Sequence, residues 1–240
     1  MAPSGPVNYR QDPSIKGAGV ATYDHIIICG AGRSGTTLVS GLLNAIDGYL
    51  IRGENYNFPL YLYKAYRALV ETENNAGAFS NTPTSPWYRG QYSAADFIEH
   101  CRPVVRSMLL GGKPSAYFNC VGFKEIRWLA RDLQGETLAG YFEFLGQVMP
   151  KLGVVVVTRN LESLLRSGWW PSALQMEPGV GQDIVDLYHD LERLPARDRF
   201  TIAYEQIVAR DERLVQLFEF LGERHDPDRI ERVLEKKHSF

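Results

Sequence analysis

The chain is poor in cysteine, in long apolar runs and in excess charge of either sign, and each shortage excludes something. Its three cysteines, Cys29, Cys101 and Cys120, are odd in number, and no two have the spacing of a metal-ligand pair. They read as free, buried thiols of a reducing compartment. The residues before Thr22 contain no apolar run, so they form neither a signal peptide nor an anchor. Apolar runs are short everywhere, and Val154 to Val157 is far too brief to span a bilayer. There are 26 basic and 28 acidic residues in 240, a net charge of −2, which argues against a protein that coats nucleic acid or an anionic membrane. The chain therefore reads as cytoplasmic, with no nucleic-acid partner, no membrane insertion and no metal. No internal repeat is present.

What is there alternates. Residues 1–22, rich in Pro, Ser and Gly, read as a flexible tail, and 23–240 as one domain. His25 to Cys29 is a β-branched run suited to a strand buried on both faces. A glycine-rich turn follows. Leu38, Leu42, Leu43 and Ile46 then mark a helix over 36–46. Further strands are expected at 49–52, 121–126, 153–158 and 200–204. Helices are expected at 60–73, 94–110 (kinked or divided by Pro103), 136–148, 161–167, 183–194, 214–221 and 229–236. The aromatic stripe Tyr61, Tyr63 and Tyr66 reads as packing. Residues 74–91 read as a long loop. Strands alternating with helices predict an α/β, P-loop-containing, three-layer fold, a mainly parallel sheet flanked by helices.

The turn is Gly30-Ala-Gly-Arg-Ser-Gly35-Thr36-Thr37. It keeps both outer glycines of the phosphate-binding pattern Gly-x-x-x-x-Gly-Lys-Ser/Thr, but Thr36 stands where the lysine belongs. Glycines still let the backbone wrap an anion, and the N–H groups at the helix start still point at it. Arg33 adds charge; Ser34, Thr36 and Thr37 add hydroxyls. Without the lysine, and without a strand ending in an aspartate for Mg²⁺, triphosphate chemistry is incomplete.

Arg33 to Leu38, placed after a buried strand, resembles the 5′-phosphosulfate loop of sulfotransferases that use 3′-phosphoadenosine 5′-phosphosulfate (PAPS). The similarity is to the tyrosylprotein and carbohydrate branch and its soluble bacterial-type members. The resemblance implies a second anchor, a strand, an Arg and a Ser on the following helix, that binds the 3′-phosphate. Val154 to Arg159 and Asn160 to Ser167 supply these in order. Ser167 is expected about two turns along its helix, roughly 10 Å along the axis, a gap that the long Arg159 side chain bridges in part. Asn160 is the expected N-cap, and Arg166 is expected to face elsewhere. Tyr204, in Thr201-Ile-Ala-Tyr-Glu205, is similar to the family's strand-end aromatic near the adenine. The resemblance spans about 25–238. Within it, 56–118 is the expected acceptor-specificity insertion.

By the same resemblance, Glu54 after Gly53 is the catalytic base, and Lys124 in Val121-Gly-Phe-Lys-Glu125 stabilises charge together with Arg33. The plain alternatives are an exposed loop glutamate and a lysine paired with Glu125 or a surface carboxylate. Arg52 is a minor candidate for substrate contact, and Lys236 and Lys237 for the 3′-phosphate. None of the five histidines lies where another branch of the family places its base. The expected reaction moves a sulfuryl group from PAPS to an acceptor hydroxyl, of a carbohydrate or glycolipid, leaving 3′-phosphoadenosine 5′-phosphate (PAP). The alternatives are a tyrosine or small-molecule acceptor, a P-loop kinase using ATP, or a non-catalytic nucleotide-binding module.

Overall fold

Five strands build one parallel sheet in the order β2-β3-β1-β4-β5: β1 His25–Cys29, β2 Tyr49–Arg52, β3 Cys120–Glu125, β4 Leu152–Thr158 and β5 Arg199–Ala203. The computed structural model describes residues 22–76, 84, 92–195 and 198–235. The proposed tail up to residue 21, most of the 74–91 loop and Lys236–Lys237 lie outside them.

Alternation along each strand divides the core in two. Ile27, Cys29, Val121, Phe123, Val154 and Val156 face one side, where they meet α2 (Phe58–Ala76), α3 (Ala94–Leu110), α5 (Leu138–Val148) and α8 (Val180–Glu192). Ile26, Ile28, Val155, Val157 and Ile202 face the other, under α1 (Thr36–Asn44), α10 (Glu212–Leu221) and α11 (Pro227–Leu234). β1 lies at the centre and is buried along its whole length. The three cysteines are buried and unbridged.

Helix ends follow local chemistry. Ser93 and Asp96 close a capping box that starts α3. At its far end Gly111 is left-handed, and the Arg52 guanidinium donates to the carbonyl oxygens of Leu109 and Leu110, both at 2.7 Å. Arg52 is thus occupied as a helix cap. Pro103 does not divide α3, which runs unbroken. One N–H is lost, but Ile98, Cys101, Val105 and Leu109 are buried and hold the helix to the sheet. In the aromatic stripe, Tyr63 is buried and Tyr66 packs beside it, whereas Tyr61 faces solvent. Among the described residues no helix is long and apolar enough to cross a membrane.

Three short α-helices escaped the sequence reading, α4 (Ala130–Leu133), α7 (Trp170–Met176) and α9 (Tyr204–Ala209). Each is too short to show a helical period. The remaining α-helix is α6 (Leu161–Leu165).

Candidate active site

The phosphate loop, Glu54, Lys124 and Arg159 all follow or end parallel strands on the same side of the sheet. Strand register fixes this. Cys29, the last residue of β1, lies beside Glu125 of β3 and Val156 of β4, and Arg52 of β2 lies beside Phe123. The loop after β1, Lys124 on β3 and Arg159 just past β4 therefore emerge side by side, where ligands of open α/β sheets collect.

The loop turns into α1 through Gly35, which is left-handed at φ 101. A Cβ there would also come within 2.7 Å of the Tyr204 ring. The first bonds into α1 come from Leu38 and Val39 N–H, both to Gly35 O. The preceding N–H groups therefore stand free of the helical ladder. The first turn has no acidic side chain and no side-chain cap. Its positive end is thus not neutralised from within the first turn. Ser34 and Thr36 are buried and Thr37 is exposed. Ser34 Oγ is fully buried near the Tyr188 phenol, with which it makes no hydrogen bond of good geometry.

The second motif folds onto the first. Arg159 Nη1 donates to Arg33 O at 2.9 Å, and Arg33 Nε donates to Ser167 Oγ at 3.3 Å. The Arg159 guanidinium lies 4.5 Å from the Tyr204 ring centroid, and its buried Nε has no partner. Ser167 lies past the end of its helix, which is shorter than the sequence implied. Asn160 caps α6 through Ser163 N–H as expected, but α6 stops at Leu165. Ser167 N–H closes the final turn on Leu164 O, and left-handed Gly168 (φ 62) then lies against the Arg33 side chain. Arg166 pairs outward with Glu162. Tyr204 opens α9 instead of ending β5.

Two residues here carried no motif. Trp170 Nε1 donates to Gly32 O at 2.7 Å, and Trp169 lies against Gly32 with the Arg33 guanidinium 5.9 Å from its ring centroid. The adjacent Trp-Trp pair after Ser167 and Gly168 was the available signal. Together these groups suit a ligand with two anionic ends and a flat base: backbone N–H groups and Arg33 at one end, a partly unpartnered Arg159 at the other, and aromatic faces between. Among the described residues no cluster of three His, Cys, Asp or Glu could hold a metal ion.

The acidic half of the site lies across β3. Lys124 is nearly buried, and a buried ammonium is costly without a partner. Its Nζ donates to Glu54 Oε1 at 2.5 Å, and Arg127 Nη1 donates to Glu54 Oε2 at 3.1 Å. Lys124 thus meets Glu54 rather than Glu125. Partial burial pushes the Glu54 carboxyl up, but Lys124 and then Arg127 pull harder and hold it below its ordinary value. Glu125, with no exposed surface, instead accepts from four backbone N–H groups and from Arg127. Arg127, three residues past Lys124, was missed by the sequence reading.

Solved structures of sulfotransferases align with this chain. The sulfotransferase domain of the Synechococcus PCC 7002 olefin synthase aligns over 96% of this chain and 82% of its own, at TM-score 0.52 and 15% identity, a likeness of fold. The sulfotransferase domain of the curacin biosynthetic pathway covers 89% and 78% at TM-score 0.49 and 15% identity. The sulfotransferase STF1 of Mycobacterium tuberculosis H37Rv covers 90% and 71% at TM-score 0.44 and 14% identity. No curated protein matches in sequence. A model of the sulfotransferase family matches residues 25–227, most of the chain, so the chain belongs to the sulfotransferase family, and its general activity is PAPS-dependent sulfuryl transfer.

Proposed function

We propose that this chain sulfates a hydroxyl of a carbohydrate or glycolipid, with Glu54 as the general base and Lys124 and Arg33 as the charge-stabilising groups. The observation that carries the reading is the contact between Arg159 and Arg33, because it joins the two anion-binding motifs into one site. When bound, PAPS supplies the sulfuryl group and leaves as PAP.

The chain's own residues divide the work. The N–H groups of Gly35, Thr36 and Thr37, with the Ser34 hydroxyl and Arg33, hold the 5′ end. Arg159 and Ser167 hold the 3′-phosphate, and Tyr204 lies beneath the adenosine. Arg33 and Ser167 partner each other across the gap, and a phosphate oxygen can replace that bond with a charge-assisted one.

On the acceptor side, Glu54 Oε takes the hydroxyl proton as the acceptor oxygen bonds to sulfur and the bond from sulfur to the 5′-phosphate breaks. Lys124 serves both sides. In the resting site it quenches Glu54. Drawn toward the negative charge growing on the leaving phosphate, it loosens its hold on Glu54. The carboxylate then becomes more basic as the proton must move. Residues 56–118, which include α2 and α3, would shape the acceptor pocket.

The test is Glu54→Gln. Transfer from labelled PAPS should fall by about 10²–10⁴-fold, the usual contribution of a positioned base. PAP affinity by calorimetry should stay near wild type. Undiminished turnover would remove Glu54 from this role.

A further inference from the structure

The loop that follows Glu54 is bolted from beneath. Glu125 Oε2 accepts from Asn55 N–H at 3.2 Å and from Asn57 N–H at 3.0 Å. The Asn57 side-chain amide donates to Arg127 O at 2.9 Å, and its Oδ1 accepts from the buried Tyr141 phenol at 2.8 Å. Within this clamp two consecutive residues other than glycine are left-handed, Tyr56 at φ 59 and Asn57 at φ 55. L side chains avoid that region, and it persists only where the surroundings over-determine it.

The strained turn fixes an aromatic ring in the open. Tyr56 is 76% exposed although Asn57, the next residue, is buried and held by Glu125, Arg127 and Tyr141. One face of its ring lies on the Arg127 guanidinium, 4.3 Å from the centroid, and that guanidinium reaches Glu54 Oε2. Space beside the base is clear, because a Cβ built on Gly53 meets nothing within 4 Å. The four formal charges nearby, Lys124 and Arg127 against Glu54 and Glu125, pair off and cancel. The site thus offers an incoming acceptor a flat apolar face and no net charge. A tyrosine resting on a surface arginine is ordinary. One pinned in left-handed backbone, on the very arginine that grips the base, is not.

We infer that the free face of Tyr56 is a stacking subsite for the acceptor, which is a neutral molecule carrying its reactive hydroxyl on a flat-faced ring. The inference rests on the proposed sulfotransferase reading with Glu54 as base. Arg127 is the positioning residue that holds both the Tyr56 ring and the carboxylate. An anionic acceptor would gain nothing here, and an open-chain alcohol would have no face to stack.

The test uses the full chain saturated with PAP and three neutral probes: 4-methylphenol, methyl β-D-glucopyranoside and 1-pentanol. Binding is read by saturation-transfer NMR, and sulfation with PAPS is followed in parallel. At least one ring probe should bind wild type, and 1-pentanol should not; the ring that binds tells a phenol from a sugar. Tyr56→Ala should weaken ring binding, and raise KM for any ring that is sulfated, by about three- to tenfold, the range of an aromatic stack. Its kcat should hardly change, and Tyr56→Phe and Tyr56→Trp should restore binding. Ring probes that ignore the wild-type complex, or that bind Tyr56→Ala equally well, overturn the subsite while leaving sulfuryl transfer standing. Failure of PAP itself to bind wild type would remove the parent reading and the subsite together.

Discussion

Lys124 carries its charge nearly out of reach of water, in the second strand from the edge of the sheet, and this is tolerable only because Glu54 meets it. The pair sets a pH response with a definite sign. The folded Glu54 carboxyl lies below its unfolded value. Its contribution to stability is therefore present above that unfolded value and is lost as pH falls through the folded one. Activity that needs the carboxylate disappears in the same acid window. Lys124→Ala removes the strongest downward pull and leaves burial, which pushes upward, opposed by Arg127 alone. We expect the acid limb of kcat/KM to move to higher pH in this variant, with a lower plateau. An acid limb that stays put or moves down would detach Lys124 from the base. The sequence named both residues, but through a resemblance; it gave no hint that they touch. It also offered Arg52 as a substrate contact, which the structure uses to cap α3.

At the scale of elements, the phosphate loop works because two chain segments approach it more closely than any side chain would allow. Gly35 is left-handed and presses on Tyr204, so it has both a conformational and a steric reason to be glycine. Gly35→Ala should cost about 1–3 kcal/mol, the range for a residue held in a sparsely populated region, read as a shift of the urea midpoint. It should weaken PAP binding as well, because displaced Tyr204 carries Arg159 with it. A variant as stable as wild type would show that the loop has slack. Strand and helix positions were legible because apolar β-branched runs alternate with amphipathic stretches, and the expected boundaries differ from the observed ones by a few residues. The early close of α6 was not legible. Nothing in Leu161 to Ser167 breaks a helix, and the signal is Gly168, which turns left-handed against Arg33. Tyr56 and Asn57 were hidden for the opposite reason: left-handed turns usually announce themselves with glycine, and here Glu125 enforces one without it.

For the whole molecule, topology does most of the assembly. A parallel sheet with β1 at its centre delivers the first loop, the β3 lysine and the β4 arginine to the carboxyl ends of three adjacent strands without any long-range accident. The separation of Gly30 from Arg159 along the chain is erased by pairing of β1 with β4. The spacing of the motifs could therefore be read in one dimension and their meeting inferred from fold class. The Tyr56 turn proposed for the acceptor could not be read in this way, because it lies between β2 and α2 on an irregular loop with no period.

The central claim is that the two anion-binding motifs hold the two ends of one doubly phosphorylated adenosine. Calorimetry of PAP against wild type and Arg159→Ala, with ATP and Mg²⁺ as the competing ligand, tests it most directly. Wild type should bind PAP far more tightly than ATP, and Arg159→Ala should lose about 1.5–3 kcal/mol of PAP affinity, as expected for charge-assisted hydrogen bonds. Equal PAP affinity in the variant, or tight binding of ATP alone, would contradict the claim.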